Sequence, residues 1–334
     1  MLAMSAPLTA RELIDHGEAR LRAAGIDTPR LDAELLLAEA AGTTRSQIVA
    51  GLVDPSGSIR TYEAWLKRRI NREPLAYITG HQGFRRIVLR VDDRVLIPRP
   101  ETELLVAVVK VDRPCGILDL ATGSGAVALA LADELPDATI TAADISPAAL
   151  EVARINACET GASARVSFIQ SDLLDSVDGI FDAIAANLPY VEAGDIDGLQ
   201  PEVSTFEPRL ALDGGEDGLD LVRRLAAAAP AQLKPGGMLA LEIGDGQAIE
   251  TEEILRLVLE LSGEVNERLL DVGVVTPEDQ PLEDKQRHKF GENPAGRTVT
   301  QDGGVDNRAS RELLAEIVEE PPRMAPVLHA AHRD

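Results

Sequence analysis

The chain has 334 residues, of which 45% are hydrophobic and only 3% aromatic, so aliphatic side chains must fill the core of one or two domains. The formal net charge is -23, and so acidic a surface repels phosphates and argues against stable binding of nucleic acid. No apolar run reaches the ~18 residues of a membrane span, and the N-terminus lacks the pattern of a signal peptide. We therefore expect a cytoplasmic protein without a membrane segment, with its two cysteines reduced.

Residues 1–75 have the spacing of amphipathic helices. Thr9 followed by Glu12 is a capping box, and Gly25 is suited to end the helix that begins there. A second helix is predicted to start at Pro29, and a third segment covers 62–71. Nothing in this region indicates chemistry, so we expect a small helical domain that docks the substrate.

Residues 76–100 are predicted to form a β-hairpin linker. The stretch FRRIVLRVDDRVLIP is rich in β-branched residues, and Asp92-Asp93 is the candidate turn. Around it, residues 67–99 hold nine basic side chains against three acidic ones. This local excess is typical of a solvated face, and a docking surface for an acidic partner is the alternative.

Residues 101–300 alternate between short apolar runs and helical patterns, as expected for repeated βα units and a parallel sheet. The runs lie at 117–120, 139–143, 166–169, 182–186 and 238–243. Ligands of such folds bind at the carboxyl ends of the strands. We therefore expect the functional residues to follow these runs directly.

The C-terminal region is polar and interrupted by prolines. Residues 268–275 and 296–300 are candidates for a final strand pair, and 311–320 for a short helix. The histidines at 329 and 332 have no further ligands nearby, so no metal site is expected. Residues 301–334 are interpreted as a polar tail outside the α/β domain.

A glycine-rich loop follows the first apolar run and opens a helix, an arrangement that brings backbone N–H groups close to a ligand. Its members are Ala121, Thr122, Gly123, Ser124 and Gly125. Asp144 ends the next strand, about 20 residues on, where a carboxylate can accept hydrogen bonds from ribose hydroxyls. Asp172 follows the third run and is a candidate to face an adenine amino group. These features alone fit either NAD or S-adenosylmethionine.

The tetrad that ends the fourth run favours methyl transfer to a planar nitrogen. It consists of Asn187, Leu188, Pro189 and Tyr190. An amide nitrogen is a poor nucleophile, so an enzyme must hold its N–H groups and aim its lone pair at the methyl donor. The Asn187 side-chain oxygen and the Leu188 carbonyl are suitable acceptors, and Tyr190 is suited to pack on the planar amide.

Together these segments resemble the HemK/PrmC family, the release factor glutamine N5-methyltransferases. The likeness runs from about residue 8 to 250 and includes REPLAYITGHQGF, VLIPRPETELLV, LDLATGSGAVALALA, NLPYV, FEPRLALDGGEDGL and LKPGGMLALEIGDGQ. It implies a Rossmann-like, seven-stranded methyltransferase domain of the α/β class, preceded by a small helical domain and a β-hairpin linker. It also implies that residues 121–125, Asp144, Leu173 and Asn187 contact the cofactor, while 187–190 receive the substrate glutamine.

Two positions depart from the family pattern. Ala121 stands where the family usually has glycine, and Leu188 stands where it usually has proline. Leucine keeps the carbonyl acceptor but loses the rigidity of proline.

The resemblance predicts an enzyme that transfers a methyl group from S-adenosylmethionine to the glutamine of the Gly-Gly-Gln motif of peptide-chain release factors. The alternative is an adenine N6-methyltransferase acting on RNA or DNA, since the NLPY spelling also occurs in rRNA adenine dimethyltransferases. Those enzymes need a basic surface, which this chain lacks overall. A monomer is expected.

Overall fold

The computed structural model describes residues 8–110, 115–261 and 271–275, with side chains as far as residue 256. Two compact units divide the chain. One, the helical unit, is formed by the residues up to His81 together with 199–207, and the other, the sheet unit, by the remainder. The expected terminal strand at 296–300, the helix at 311–320 and the polar tail lie outside the described residues.

The helical unit starts where the sequence predicts. The first helix is preceded by Thr9, whose hydroxyl accepts from the Glu12 N–H at 3.2 Å while the Glu12 carboxylate accepts from the Thr9 N–H at 2.8 Å, so the predicted capping box is confirmed. Gly25, with φ 73°, follows its end. Within residues 8–81, the α-helices are α1 (Ala10–Ala23), α2 (Pro29–Ala40), α3 (Arg45–Val49), α4 (Ile59–Ile70) and α5 (Leu75–Thr79).

The core cluster of the helical unit is mainly aliphatic and includes Tyr62. Tyr62 is completely buried and donates its hydroxyl hydrogen to the Leu13 carbonyl at 3.2 Å. A Cβ added at Gly17 would lie 1.9 Å from that hydroxyl. The glycine therefore lets α1 approach α4 closely enough for the tyrosine to pack.

A buried ion cluster holds residues 199–207 within the helical unit. Arg69, only 7% exposed, donates to Asp32 at 2.7 Å and to Glu202 at 2.8 Å, and Arg72 pairs with the same Glu202 at 2.6 Å. Glu202 lies in the short helix α9 (Pro201–Ser204). Because each charge is met by opposite charges, the cluster avoids the cost of an unpaired buried ion.

A hairpin is present, but its turn is not where the sequence predicts it. Strands β1 (His81–Phe84) and β2 (Ile87–Arg90) are joined through Arg85, whose φ is 50°. The prediction that Asp92-Asp93 forms the hairpin turn is wrong, because the turn at this place, closed by the Val95 N–H donating to the Asp92 carbonyl at 3.1 Å, follows β2. Asp92 instead accepts from the Arg94 backbone N–H at 3.1 Å, and its carboxylate pairs with the Arg94 side chain at 2.6 Å, so it forms a local loop.

The sheet unit contains a parallel sheet whose strand order is β5-β4-β3-β6-β7-β8. The chain builds β3, β4 and β5 outward on one side and then returns to place β6, β7 and β8 on the other. The strands are β3 (Gly116–Leu120), β4 (Thr139–Asp144), β5 (Val166–Gln170), β6 (Phe181–Asn187), β7 (Leu233–Glu242) and β8 (Asp271–Val275). The reversal of direction opens a crevice at the carboxyl ends of the central strands, between β3 and β6.

The other α-helices of the described residues are α6 (Thr102–Lys110), α7 (Ala126–Glu134), α8 (Pro147–Glu159), α10 (Asp220–Ala228) and α11 (Ala248–Leu261). Apolar side chains on both faces of the sheet are buried, because the sheet's core clusters each include residues from strands and helices. The predicted α/β class, with a parallel sheet preceded by helices and a hairpin, is confirmed.

The expected count of seven strands is wrong for the described residues. Five strands lie between 116 and 242, and a sixth, at 271–275, pairs in parallel with β7 through its backbone. A strand needs a neighbour with free N–H and C=O groups. The described segments supply no seventh, and the candidate at 296–300 lies outside them.

The basic stretch at 67–99 is largely neutralised within the protein, which does not support a free basic docking face. Ion pairs with carboxylates are formed by Arg68, Arg69, Arg72, Arg85, Arg86, Arg90 and Arg94. In the sheet unit, for example, Arg85 and Lys110 both pair with Glu134. Arg85 and Arg86 pair with α7, and Arg90 and Arg94 pair with α8, so residues 85–94 are joined to both helices.

Among the described residues, no helix has the length and apolar character needed to cross a membrane.

Candidate active site

A cavity of about 300 Å³ lies at the carboxyl ends of β3, β4 and β6, in the crevice opened by the reversal of strand order. We call it the main cavity. Its walls combine apolar side chains with a few carboxylates and two arginines, a lining suited to a ligand with both apolar and hydroxyl-bearing parts. The residues from the strand ends and their loops are Leu120, Ala121, Gly123, Ala143, Asp144, Ile145, Ser171, Asp172, Leu173, Asn187, Leu188 and Pro189.

The glycine-rich loop turns sharply after β3. Ala121, Gly123 and Gly125 all have positive φ, at 54°, 56° and 86°. Glycine adopts this region without cost, whereas an alanine there is strained by about 1–2 kcal/mol. The departure from the family's glycine at position 121 therefore falls on a position whose backbone favours glycine.

A buried carboxylate that the sequence analysis did not select holds this loop. Asp119 is 1% exposed and accepts from the Thr122 hydroxyl at 2.5 Å and from the Ala128 N–H at 3.1 Å. Burial raises the pKa of Asp119 to about 7, although both hydrogen bonds lower it. The available signal was an acidic residue inside the apolar run ILDLA, where a charge needs a structural reason.

Asp144 is fixed by two backbone donors. Its carboxylate accepts from the Gly123 N–H at 2.9 Å and from the Ser146 N–H at 2.8 Å. Burial raises the pKa of Asp144, and the two hydrogen bonds partly oppose that shift. The carboxylate thus ties the glycine-rich loop to the end of β4, and its remaining lone pairs are acceptors on the cavity wall.

The loop after β5 places two predicted residues beside the main cavity. Asp172 pairs with Arg224 of α10 at 2.9 Å, so part of its acceptor capacity is already used. Leu173 has a positive φ of 47° and lines the cavity. Its side chain also packs against the core cluster on that face of the sheet.

Hydrogen bonds and burial fix the residues of the tetrad at the end of β6. Asn187 donates through Nδ2 to the Thr102 hydroxyl at 3.1 Å, and Leu188 is 2% exposed within the core. Gln247 donates to the Tyr190 carbonyl at 3.0 Å. These contacts fix the backbone on both sides of Pro189.

A glycine-containing loop packs directly on the backbone of the tetrad. A Cβ added at Gly214 would lie 2.8 Å from the Pro189 carbonyl oxygen, and one at Gly218 would lie 2.3 Å from the Tyr190 carbonyl oxygen. Both glycines stand in the stretch FEPRLALDGGEDGL. They were noted only as part of the family resemblance, because close approach between distant segments leaves no local pattern.

The structure brings eight of the predicted site residues together on the cavity wall: Ala121, Gly123, Asp144, Asp172, Leu173, Asn187, Leu188 and Pro189. The other four, Thr122, Ser124, Gly125 and Tyr190, do not line it. Thr122 and Ser124 are buried in the turn of the glycine-rich loop. The roles assigned to all twelve in binding and catalysis stay predictions.

Asn156 is a further residue that the sequence analysis missed. It is fully buried on α8, accepts from the Arg90 N–H at 2.8 Å, and donates to the carbonyls of Arg90 at 3.0 Å and Ser124 at 2.8 Å. A single amide therefore joins the hairpin to the glycine-rich loop.

The described residues contain no group of three or more histidine, cysteine or acidic side chains placed to hold a metal ion.

Two segments of the chain match families of known proteins. Residues 12–80 match the family described as PrmC N-terminal domain, and residues 100–200 match the Methyltransferase small domain. A release factor glutamine methyltransferase from Moorella thermoacetica is 45% identical over 259 residues, covering 75% of this chain and 91% of that protein. Relatives of the same name from Rhodospirillum rubrum and Caulobacter vibrioides are each 43% identical and cover 75% and 71% of this chain, and 78% and 84% of their own.

The resemblance predicted from the sequence motifs is thereby confirmed. Because these relatives are more than 40% identical and are matched over more than two thirds of their length, the chain belongs to the family of release factor glutamine methyltransferases.

Proposed function

We propose that this protein transfers the methyl group of S-adenosylmethionine to the side-chain amide nitrogen of the glutamine in the Gly-Gly-Gln motif of a peptide-chain release factor. The observation that carries the proposal is that Asn187, Leu188 and Pro189 line the same cavity as Asp144 and the glycine-rich loop. An acceptor site for a planar nitrogen thus adjoins a site suited to a nucleoside.

The cofactor fits the residues present. Asp144 offers carboxylate lone pairs where a ribose would lie, and Ala143, Ile145 and Leu173 offer apolar surface for an adenine. Close backbone approach is possible at Gly123, beside which no side chain crowds the loop. S-adenosylmethionine supplies an electrophilic methyl group on its sulfonium.

The protein's contribution to the reaction is alignment. The Asn187 side-chain oxygen and the Leu188 carbonyl accept the two N–H groups of the substrate amide, which points the nitrogen toward the methyl group. Two acceptors also stabilise the positive charge that develops on the nitrogen as its bond to carbon forms. The methylated nitrogen is strongly acidic, so its proton is lost without a strong base.

The substrate is a protein, and the helical unit is the proposed docking domain. The acidic overall charge and the internally paired arginines support a protein partner over RNA or DNA. They disfavour the alternative of adenine methylation. Action in the cytoplasm as a monomer belongs to the same proposal.

The test is methyl transfer from labelled S-adenosylmethionine to a release factor with its Gly-Gly-Gln motif. Label should appear on the motif glutamine and be absent when that glutamine is replaced by glutamate. Asn187→Ala should lower kcat by about 10²-fold or more, the typical cost of losing one group that stabilises transition-state charge. The exposed Asn71→Ala is the matched control. Label on an adenine of RNA, with none on the glutamine, would overturn the proposal.

A further inference from the structure

Glu242 is a buried carboxyl group directly beside the tetrad, and no step proposed above uses it. It ends β7 in register with Asn187, the last residue of β6. Its side chain is 3% exposed, and its Oε2 atom has no hydrogen-bond partner. Burying a carboxyl group with an unsatisfied oxygen is costly, so its presence here calls for a reason.

Glu242, Thr102 and Asn187 form a cluster of polar side chains. Asn187 Nδ2 donates to the Thr102 hydroxyl at 3.1 Å, and the donor hydrogens of Thr102 and Asn187 both lower the pKa of the Glu242 carboxyl group. Thr102 is itself 4% exposed. The single hydroxyl hydrogen of Thr102 is committed to Glu242, so its oxygen is the acceptor for Asn187.

This cluster determines which end of the Asn187 amide is available to a substrate. An ionised carboxylate only accepts hydrogen bonds, and the Asn187 Nδ2 group is directed to Thr102 and stabilises the charge of Glu242. The side-chain oxygen is then the polar atom that Asn187 offers to the main cavity, which it lines. A flipped amide would set its oxygen against the carboxylate and offer N–H donors to the donor groups of the substrate.

We propose that Glu242 is a positioning residue, which acts together with Thr102 to hold the Asn187 amide with its oxygen toward the substrate nitrogen. The inference rests on the proposed function, because it assigns an orientation to the acceptor named there. Glu242 does not touch substrate or cofactor in this role. It selects one of two amide orientations that have almost the same shape.

The selection depends on pH. Burial raises the pKa of Glu242 to about 7; the Thr102 and Asn187 hydrogen bonds and the charge of Arg99 lower it, and the charge of Glu101 raises it. Protonation gives the carboxyl group a donor of its own, which can satisfy a flipped Asn187 oxygen. The productive orientation is therefore enforced above about pH 7 and released below it.

The kinetic test compares Glu242→Gln with wild type at saturating cofactor. Glutamine keeps the shape but can donate as well as accept, so kcat should fall by about 10- to 100-fold, as is typical when a group that orients a reacting side chain is changed. The wild-type rate should rise with pH through about 7, whereas the variant should show no such rise. Thr102→Val should have a similar effect, Thr102→Ser should restore the rate, and the effects of Glu242→Gln and Thr102→Val should not add.

A second readout needs no substrate. The side-chain NH2 resonances of Asn187, in protein labelled with nitrogen-15 at asparagine, should shift with a midpoint near pH 7 and lose that shift in Glu242→Gln. Resonances that do not respond to pH, or that respond identically in the variant, would refute the role of Glu242. Inactivity of the wild type on Gly-Gly-Gln would instead overturn the proposed function, and the resonances would still decide the role of Glu242.

Discussion

Two buried carboxyl groups should make the stability of this protein fall as the pH rises from about 5 to 8. Burial raises the pKa of Asp119 from 3.8 to about 7 and that of Glu242 from 4.5 to about 7. Between these values the folded protein keeps two protons that the unfolded chain has already released. Raising the pH therefore favours unfolding, and the loss of stability is complete only above the pKa of the group in the folded protein.

The magnitude follows from the size of these shifts. At about 1.4 kcal/mol per pH unit, each carboxyl group lowers the free energy of unfolding by about 2–3 kcal/mol between pH 5 and 8. Asp144, whose pKa is also raised, contributes in the same direction but is unchanged in the variants compared. Carboxylates with lowered pKa titrate below this window, so they leave it undisturbed.

The assay is urea unfolding at several pH values between 5 and 8, for wild type, Asp119→Asn and Glu242→Gln. Each variant should remove about 2–3 kcal/mol from the fall in the free energy of unfolding, and the double variant should remove both contributions. Asp217→Asn is the control, because this exposed carboxylate has its pKa lowered to about 2 and is ionised throughout. A wild-type stability that is flat or rises across this range would refute the reasoning.

Three further predictions concern single positions. Gly218→Ala should lower the free energy of unfolding by more than about 2 kcal/mol and reduce turnover. The φ of Gly218 is 75°, and the new Cβ would clash with the Tyr190 carbonyl. Normal turnover of the variant would contradict this prediction. Glu202→Ala should cost about 2–3 kcal/mol in thermal or urea unfolding, because Arg69 and Arg72 lose one anion while Arg69 keeps Asp32. Loss of the exposed pair in Arg86→Ala should cost about 0–1 kcal/mol. Asn156→Ala should cost about 3 kcal/mol and weaken cofactor binding measured by calorimetry, since three backbone groups lose their hydrogen-bond partner and the bond to the Ser124 carbonyl is buried. Unaltered stability would contradict this prediction.

The parts of the fold that the sequence predicts are those encoded by local chemistry. The capping box at Thr9 and the proline at position 29 set helix starts, and the five apolar runs became five neighbouring strands of one sheet. The glycine-rich loop and Asp144 could be placed at strand ends because consecutive parallel strands point the same way.

The parts that could not be predicted depend on contacts between distant segments. The hairpin turn lies at Arg85, where Arg85 pairs with α7 and Arg90 pairs with α8, and no signal near residue 85 reveals these contacts. Asp119 and Glu242 sit inside apolar runs, and their partners become evident only once the strands are assembled. Gly214 and Gly218 are needed where two loops meet, which periodicity does not encode.

The helical unit is formed by two segments that are separate in the sequence. Residues 199–207 belong to it although they are encoded more than a hundred positions after His81, and Glu202 completes its buried ion cluster. A chimera that exchanges only the first 81 residues with those of a relative would take the residues at positions 32 and 69 of the ion cluster from one protein and the residue at position 202 from the other. Exchange of substrate preference between members of the family should therefore succeed only when both segments are transplanted together.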